Sequence, residues 1–92
     1  MKNELLKAQL LFKLYRKAIW GGRHTPLRNL FHLAGNIAIK ESKKVLKELN
    51  KLGWILIKVS TGEEHISLNP HKNKEIKEFI LGILKIDPRL LE

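Results

Sequence analysis

The hydrophobic repeat of this chain changes at Gly53, and the change limits the folds that the chain can adopt. Before Gly53, residues 38–52 carry apolar side chains at the spacing of one helix face, namely Ile39, Val45, Leu46, Leu49 and Leu52. After Gly53, the segment "WILIKVS" (54–60) is rich in β-branched residues, and polar and apolar residues alternate in "HISL" (65–68). Both patterns predict strands. The segment "TGEE" (61–64) between them has the glycine of a tight turn. A helix that stops at Gly53 and leads directly into a β-hairpin predicts an α+β fold.

Three further helices are predicted on either side of this junction. They span residues 3–20, 26–33 and 73–86. Asn3 can cap the first helix, and no proline or glycine interrupts it before Gly21. Thr25 is placed to cap the second, with Pro26 at the first helical position, where the missing N–H has no intrahelical partner to lose. Because 92 residues form one small hydrophobic core, the sequence predicts a single domain over residues 1–92.

The charge balance indicates a polyanionic partner. Eighteen lysines and arginines against nine acidic residues give a formal net charge of +9, and a field of this sign attracts nucleic acid. The chain has no cysteine, which excludes disulfides and thiolate metal sites and suits a reducing compartment. No apolar run approaches the roughly 20 residues that a membrane span needs. Charged residues recur every few positions in the N-terminal segment, whereas a signal peptide contains an uninterrupted apolar stretch. We therefore expect a cytoplasmic protein without a membrane partner.

Five lysines lie along one side of the predicted helix 38–52, opposite its apolar face. They are Lys40, Lys43, Lys44, Lys47 and Lys51. Three pairs among them are four residues apart, where like charges repel each other by a few tenths of a kcal/mol. Only Glu41 and Glu48 oppose them on this helix, although a solvated helix face usually mixes the two signs. A face that tolerates this repulsion is better explained by a nucleic acid that binds to it.

The order of the predicted elements, together with "AGNIAIKESKKVLKELNKLGWILIKV" (34–59), resembles the winged helix-turn-helix superfamily. The segment "VLKELNKLGWI" (45–55) carries the resemblance, because it is similar to the end of a recognition helix that enters the wing. The segments "GGRHT" and "ISLNP" also resemble small uncharacterised winged-helix proteins of archaea. The resemblance implies that helix 38–52 lies in a DNA major groove, while the hairpin contacts the flanking backbone or the minor groove. It predicts a transcriptional regulator or chromatin-associated factor, working as a homodimer that pairs through its first or last helix.

The candidate nucleic-acid-binding residues come from three predicted segments. They are Asn36, Lys40, Lys43, Lys44, Lys47 and Lys51 of the third helix and its start, Arg23 and Arg28 of the preceding segment, and Lys58 and Thr61 of the hairpin. Asn36, Lys40 and Lys43 are placed to meet base edges, whereas lysines further along the helix are expected to meet phosphates. The segment "WGGRHTPLRNL" (20–30) is either a plain connector or an anchor for a backbone phosphate.

The hairpin raises a difficulty for this mode of binding. Glu63 and Glu64 are predicted at its tip, where a wing that contacts DNA usually carries arginine or lysine. Either the hairpin stays away from phosphate, with contacts only on its near side, or the two carboxylates meet a basic patch of a partner subunit.

Two other function classes remain open. A basic winged helix can bind structured RNA, for example in a ribosomal particle, and it can also serve as a protein-interaction module. No enzyme, cofactor, metal site or small-molecule substrate is predicted. No serine has a nucleophile motif, and the four histidines lack the spacing of a helical ligand pair. These histidines are His24, His32, His65 and His71.

Overall fold

The computed structural model describes residues 4–29 and 39–91 of the chain. In chain order the elements are α1 (Glu4–Arg16), β1 (Thr25–Pro26), α2 (Ile39–Lys51), β2 (Ile55–Ser60), β3 (Glu63–Leu68), a 3-10 turn (Pro70–Lys72), α3 (Asn73–Leu84) and a second 3-10 turn (Pro88–Leu91). The strands form a three-stranded antiparallel sheet in the order β1-β3-β2. The predicted α+β class is confirmed, and the arrangement is compatible with a winged-helix-like layout.

One hydrophobic core joins the helices to a single face of the sheet. α1 packs against α2, α3 and β3. Ile55, Ile66 and Leu68 of the sheet are fully buried, and the register that pairs Ile55 with Leu68 puts their side chains on the same face. The helices contribute further side chains that are at most 1% exposed, namely Leu11, Leu14, Val45, Leu49, Ile76 and Ile80. This core holds α2 in one orientation, so the opposite side of α2 is a fixed surface.

The turn from α2 into β2 is closed by Gly53, as the sequence predicts. Gly53 has a φ of +78°, a conformation that only glycine adopts without a clash of its Cβ. Its N–H donates to the carbonyl of Asn50, and the Trp54 N–H donates to the carbonyl of Leu49, both at 3.0 Å. These two bonds make a Schellman motif, which satisfies the last carbonyls of the helix. The helix therefore stops at the glycine that the sequence marks as its C-terminal cap.

The sequence predicts Leu52 on the buried face of α2, and this part of the prediction is wrong. The helix ends at Lys51, one residue earlier than predicted, and Leu52 is 55% exposed. The reversal at Gly53 is responsible, because it redirects the chain before the Leu52 side chain can face the core. The last helix likewise stops earlier than predicted, at Leu84, where Lys85 adopts a left-handed conformation with a φ of +52°.

The first helix is also shorter than predicted, since α1 ends at Arg16 and not at residue 20. Ala18 adopts the left-handed conformation with a φ of +55°. Its N–H donates to the carbonyl of Tyr15, and the Ile19 N–H donates to the carbonyl of Leu14, both at 3.0 Å. The helix is thus closed by a second Schellman motif, in which alanine occupies the position that glycine usually takes.

The segment that follows α1 pairs with the end of β3. The Leu68 N–H donates to the carbonyl of Ile19 at 2.8 Å, and the Gly21 N–H donates to the carbonyl of Leu68 at 2.9 Å. Trp20 forms a single parallel bridge with Leu68. Residues 17–20 are therefore not helical, and the prediction that the first helix reaches residue 20 is wrong, because this segment leaves the helix at Ala18 and pairs with β3.

Replacing Ala18 by glycine is expected to stabilise the fold. Glycine relieves the clash of a Cβ in the left-handed region but adds freedom to the unfolded chain, which leaves a gain of about 0.5–1 kcal/mol in the free energy of unfolding. Urea denaturation followed by circular dichroism measures this difference. Ala8→Gly is the matched control, because Ala8 is fully buried within α1 and glycine there is expected to destabilise by about 1 kcal/mol or more. A loss of stability in both variants would contradict the assignment of Ala18.

The β-hairpin is confirmed, with a tighter turn than predicted. Thr61 and Gly62 form the whole turn and both have positive φ, at +52° and +76°, the sign pattern of a type I′ turn. β3 begins at Glu63, which pairs with Ser60, and Glu64 pairs with Val59. The two glutamates therefore lie within a strand and not at the tip.

The predicted start of the second helix is also corrected. Thr25 and Pro26 form β1, which pairs with Ile66 and His65 of β3, so they are strand residues and not the cap and first turn of a helix. Residues 27–29 are helical, and the rest of the predicted helix 26–33 lies outside the described residues. Pro26 is tolerated here because β1 is an edge strand of the sheet.

Candidate nucleic-acid interface

The lysine face of α2 consists of Lys40, Lys43, Lys44, Lys47 and Lys51. All five are exposed, whereas Ser42, Val45, Leu46 and Leu49 on the other side of the helix are at most 2% exposed. Within residues 4–29 and 39–91, no carboxylate lies within ion-pair distance of Lys40, Lys44, Lys47 or Lys51. The helical spacing in the sequence is thus realised as one solvent-facing row of positive charge.

Glu48, which lies between the lysines of this helix, is turned toward α1. Its Oε2 accepts a hydrogen bond from Lys7 Nζ at 2.9 Å, and the Lys7 side chain is only 11% exposed. The hydrogen bond from Lys7 has the largest effect and lowers the pKa of the Glu48 carboxyl below its usual value of 4.5. Burial opposes this shift, and the charges of Lys7, Lys44 and Lys51 each lower the pKa further. The sequence shows Glu48 only as a partner of lysines on its own helix, so this tie to α1 was not predicted.

The Lys7–Glu48 pair predicts an acid-dependent part of the stability. Because the folded-state pKa of Glu48 is lowered, the pair contributes fully above the unfolded value and its contribution is lost as pH falls through the folded value. Glu48→Gln is therefore expected to be less stable than the native chain at pH 7, and this difference is expected to shrink below about pH 4. Urea unfolding at both pH values measures it. Glu41→Gln, an exposed change on the same helix, is the control for the loss of one carboxylate from α2.

The segment after β1 brings one arginine to the hairpin. Arg28 Nη1 lies 2.9 Å from Glu63 Oε1, and the Arg28 side chain remains 70% exposed. Glu63 is therefore neutralised within its own chain, and a partner subunit is not needed to explain it. Arg23 is exposed, and its backbone N–H donates to the carbonyl of Trp20 at 2.9 Å. Both arginines present their guanidinium groups to solvent, as a phosphate anchor requires, although the sequence did not predict the ion pair of Arg28.

The hairpin candidates occupy different places. Lys58 is exposed in the middle of β2, where it pairs with His65 of β3. Thr61 lies in the exposed turn. Asn36, the candidate nearest to the start of the helix, lies outside the described residues. The structure thus collects most of the predicted residues on α2 and on the sheet beside it, and the role of each in binding remains a prediction.

One cluster was missed by the sequence arguments. His24, just before β1, and His65, on β3, approach each other with their Nδ1 atoms 2.8 Å apart. The two residues are 41 positions apart, so no spacing rule for a single helix can detect them. The signal that could have found them is the pairing of β1 with β3, which itself was not predicted.

No group of three or more histidine, cysteine, aspartate or glutamate side chains is placed to hold a metal ion in the part of the chain that the structure describes. Of the helices described, none has the length and apolarity to cross a membrane. Searches of protein-family models, of the curated proteins and of the solved structures found no match to this chain.

Proposed function

We propose that the chain is a winged helix-turn-helix protein that binds duplex DNA through the lysine face of α2. The observation that carries the proposal is the row of exposed lysines on one side of α2, a helix whose opposite side is buried in the core. Positive charge on a fixed scaffold releases counterions when it meets phosphates, and this release is the main source of non-specific DNA affinity.

The dimensions of α2 suit a major groove. At 1.5 Å per residue, the interval from Lys40 to Lys51 is about 17 Å long, and a major groove about 12 Å wide admits one α-helix. The buried side of α2 is packed against α1 and β2, so the charges are already positioned before DNA arrives. Little conformational entropy is then lost on binding, apart from that of the lysine side chains themselves.

The composition of α2 supports modest sequence selectivity. Lysines mostly contact phosphates, whereas base edges are usually read by arginine, asparagine or glutamine. α2 contains no arginine or glutamine, and its one asparagine, Asn50, donates from Nδ2 to the Ile55 carbonyl at 2.8 Å. The proposed function is therefore charge-led binding, as a transcriptional regulator or chromatin-associated factor uses to hold duplex DNA.

The sheet supplies a second contact surface in this proposal. Lys58 on β2 and Arg28 beside Glu63 lie at the hairpin, where a wing contacts the flanking backbone. The ion pair between Arg28 and Glu63 is on the surface and is worth little in water, so a phosphate can replace the carboxylate as the partner of Arg28. Because the exchange releases the Glu63 carboxylate and Glu64 is exposed, repulsion by the two glutamates still limits the hairpin contact to Arg28 and Lys58.

Homodimerisation is part of the same proposal. Leu5 of α1 is 55% exposed and Leu90 of the C-terminal 3-10 turn is 43% exposed, and these two elements pack against each other. They offer apolar side chains where α1 meets the C-terminal 3-10 turn, and α1 is one of the two helices, with the last helix, through which the sequence predicts the two copies to pair. Sedimentation equilibrium with and without duplex DNA tests the oligomeric state.

The experiment that tests the proposed function is the salt dependence of binding. A labelled duplex, the same sequence as an RNA hairpin, and a neutral dextran are each titrated with the protein at several salt concentrations, and anisotropy is recorded. For duplex DNA, a plot of log K against log salt is expected to be linear with a slope of about −0.9 for each phosphate neutralised.

The outcomes separate the three function classes. Tighter binding to duplex DNA with a slope of about −3 or steeper supports the proposal. Tighter binding to the RNA hairpin would favour an RNA-binding protein. Absence of binding to either nucleic acid at low salt would contradict the proposal and favour a protein-interaction module.

A further inference from the structure

The two histidines at the β1–β3 junction are held in an unusual geometry. Their Nδ1 atoms are 2.8 Å apart, the ring centroids are 4.6 Å apart, and the ring planes are 83° from parallel. Both rings are partly buried. The backbone fixes each of them, since His65 pairs with Pro26 and His24 precedes β1. The Nδ1 atoms of His24 and His65 therefore approach each other from two different parts of the chain, the segment before β1 and the strand β3.

This separation matches the bite of two ligands on one metal ion. In the metal-free chain, one ring must donate its Nδ1–H and the other must accept, because a neutral imidazole carries a single N–H. At Zn–N distances of 2.0–2.1 Å, two ligand nitrogens lie about 2.9 Å apart at a right angle and about 3.3 Å apart at the tetrahedral angle. The rings need to separate by only a few tenths of an ångström to admit an ion.

We propose that His24 and His65 form a two-histidine site for a divalent transition-metal ion of the Zn²⁺, Ni²⁺ and Cu²⁺ class. Neutral imidazole nitrogen suits these ions, whereas Mg²⁺ and Ca²⁺ require oxygen ligands. On binding, the shared Nδ1 proton moves to Nε2 of the same ring through solvent, so that both Nδ1 lone pairs point to the metal. Water completes the coordination, because no third histidine, cysteine, aspartate or glutamate joins the pair among residues 4–29 and 39–91.

The surroundings set the strength and the consequence of binding. Lys58 is the β2 partner of His65, and its positive charge opposes a cation, so binding is weaker than in a closed four-ligand site. Copper is expected to bind more tightly than nickel or zinc. A bound ion links the segment before β1 to β3 and thereby ties together the two parts of the chain on either side of α2.

The test uses the full chain without nucleic acid, so its outcome is independent of the proposed function. After treatment with a chelator, the melting temperature is measured against increasing ZnCl₂, NiCl₂, CuCl₂ and, as a negative control, MgCl₂. At a free metal concentration about ten times the Kd, the melting temperature is expected to rise by about 6–11 °C for the transition metals. Magnesium is expected to have no effect.

Three variants locate the site. His24→Ala and His65→Ala are expected to lose the metal-dependent rise. His71→Ala, which changes an exposed histidine in the 3-10 turn, is expected to keep it. A second measurement does not depend on variants that fold: in ¹H–¹⁵N spectra of the native chain, zinc is expected to shift the Nδ1 resonances of His24 and His65 and not those of His71. No rise with any transition metal, or shifts confined to other histidines, would overturn the proposal.

Discussion

Replacing Lys40, Lys44 and Lys47 together by glutamine is expected to weaken duplex DNA binding at least about tenfold at 0.1 M salt. Glutamine removes the charge and keeps the helix propensity of lysine, and all three side chains are exposed, so α2 is expected to remain folded. Each phosphate contact that is lost flattens the plot of log K against log salt by about 0.9, so the triple variant is expected to flatten it by up to about 2.7. Fluorescence anisotropy over a salt series measures both quantities.

The matched control removes three lysines elsewhere on the surface. Lys17 follows α1, and Lys74 and Lys77 belong to α3. Their replacement by glutamine lowers the net charge by the same amount, so any effect of total charge on long-range attraction is equal in the two triple variants. The control is expected to change the affinity only slightly. Equal losses in both variants would mean that net charge alone drives binding and would refute the lysine face of α2 as the binding surface.

Leu49→Ala is expected to destabilise the fold by about 3 kcal/mol, because it removes a fully buried side chain that anchors α2 to the core. A domain of this size has a total stability of roughly 5–14 kcal/mol, so the variant is expected to lose a large share of it. The melting temperature is expected to fall by about 12–24 °C. Thermal and urea unfolding, followed by circular dichroism, measure the loss.

Leu52→Ala is the control for this substitution. The change in side chain is identical and lies three residues further along the chain, but Leu52 is 55% exposed. It is expected to cost less than about 0.5 kcal/mol. Similar losses at both positions would show that α2 continues past Lys51 and buries Leu52, which is the arrangement that helical periodicity alone predicts.

Asn69, which directly follows β3, connects two turns through its side-chain hydrogen bonds. Asn69 Nδ2 donates to the Gly53 carbonyl at 2.7 Å, and its Oδ1 accepts the His71 N–H at 3.0 Å. One side chain thus braces the turn after α2 against the 3-10 turn before α3. The end of α2 is therefore held by the segment after β3, and a rigidly held helix suits the proposed binding surface.

The sequence by itself determined those structural elements that depend on residues close together in the chain. The change of hydrophobic period at Gly53 located α2, its C-terminal glycine cap and the hairpin, because each rests on spacing or on a backbone conformation that glycine favours. The same spacing correctly put the lysines of α2 on its exposed side. The charge of a segment and the spacing of its hydrophobic residues can both be read from a short stretch of sequence, so no tertiary contact is needed to infer them.

Tertiary structure decided the contacts between residues that are far apart in the chain and the local conformations that follow from those contacts. The end of α1 at Arg16 requires Ala18 in a left-handed conformation and the pairing of residues 19–21 with Leu68. The conversion of Thr25 and Pro26 into an edge strand, the tie of Glu48 to Lys7, the ion pair of Arg28 with Glu63 and the meeting of His24 with His65 have the same origin. Local propensity differs between alternatives by about 1 kcal/mol or less for most residues, so long-range pairing and burial override it wherever they act together.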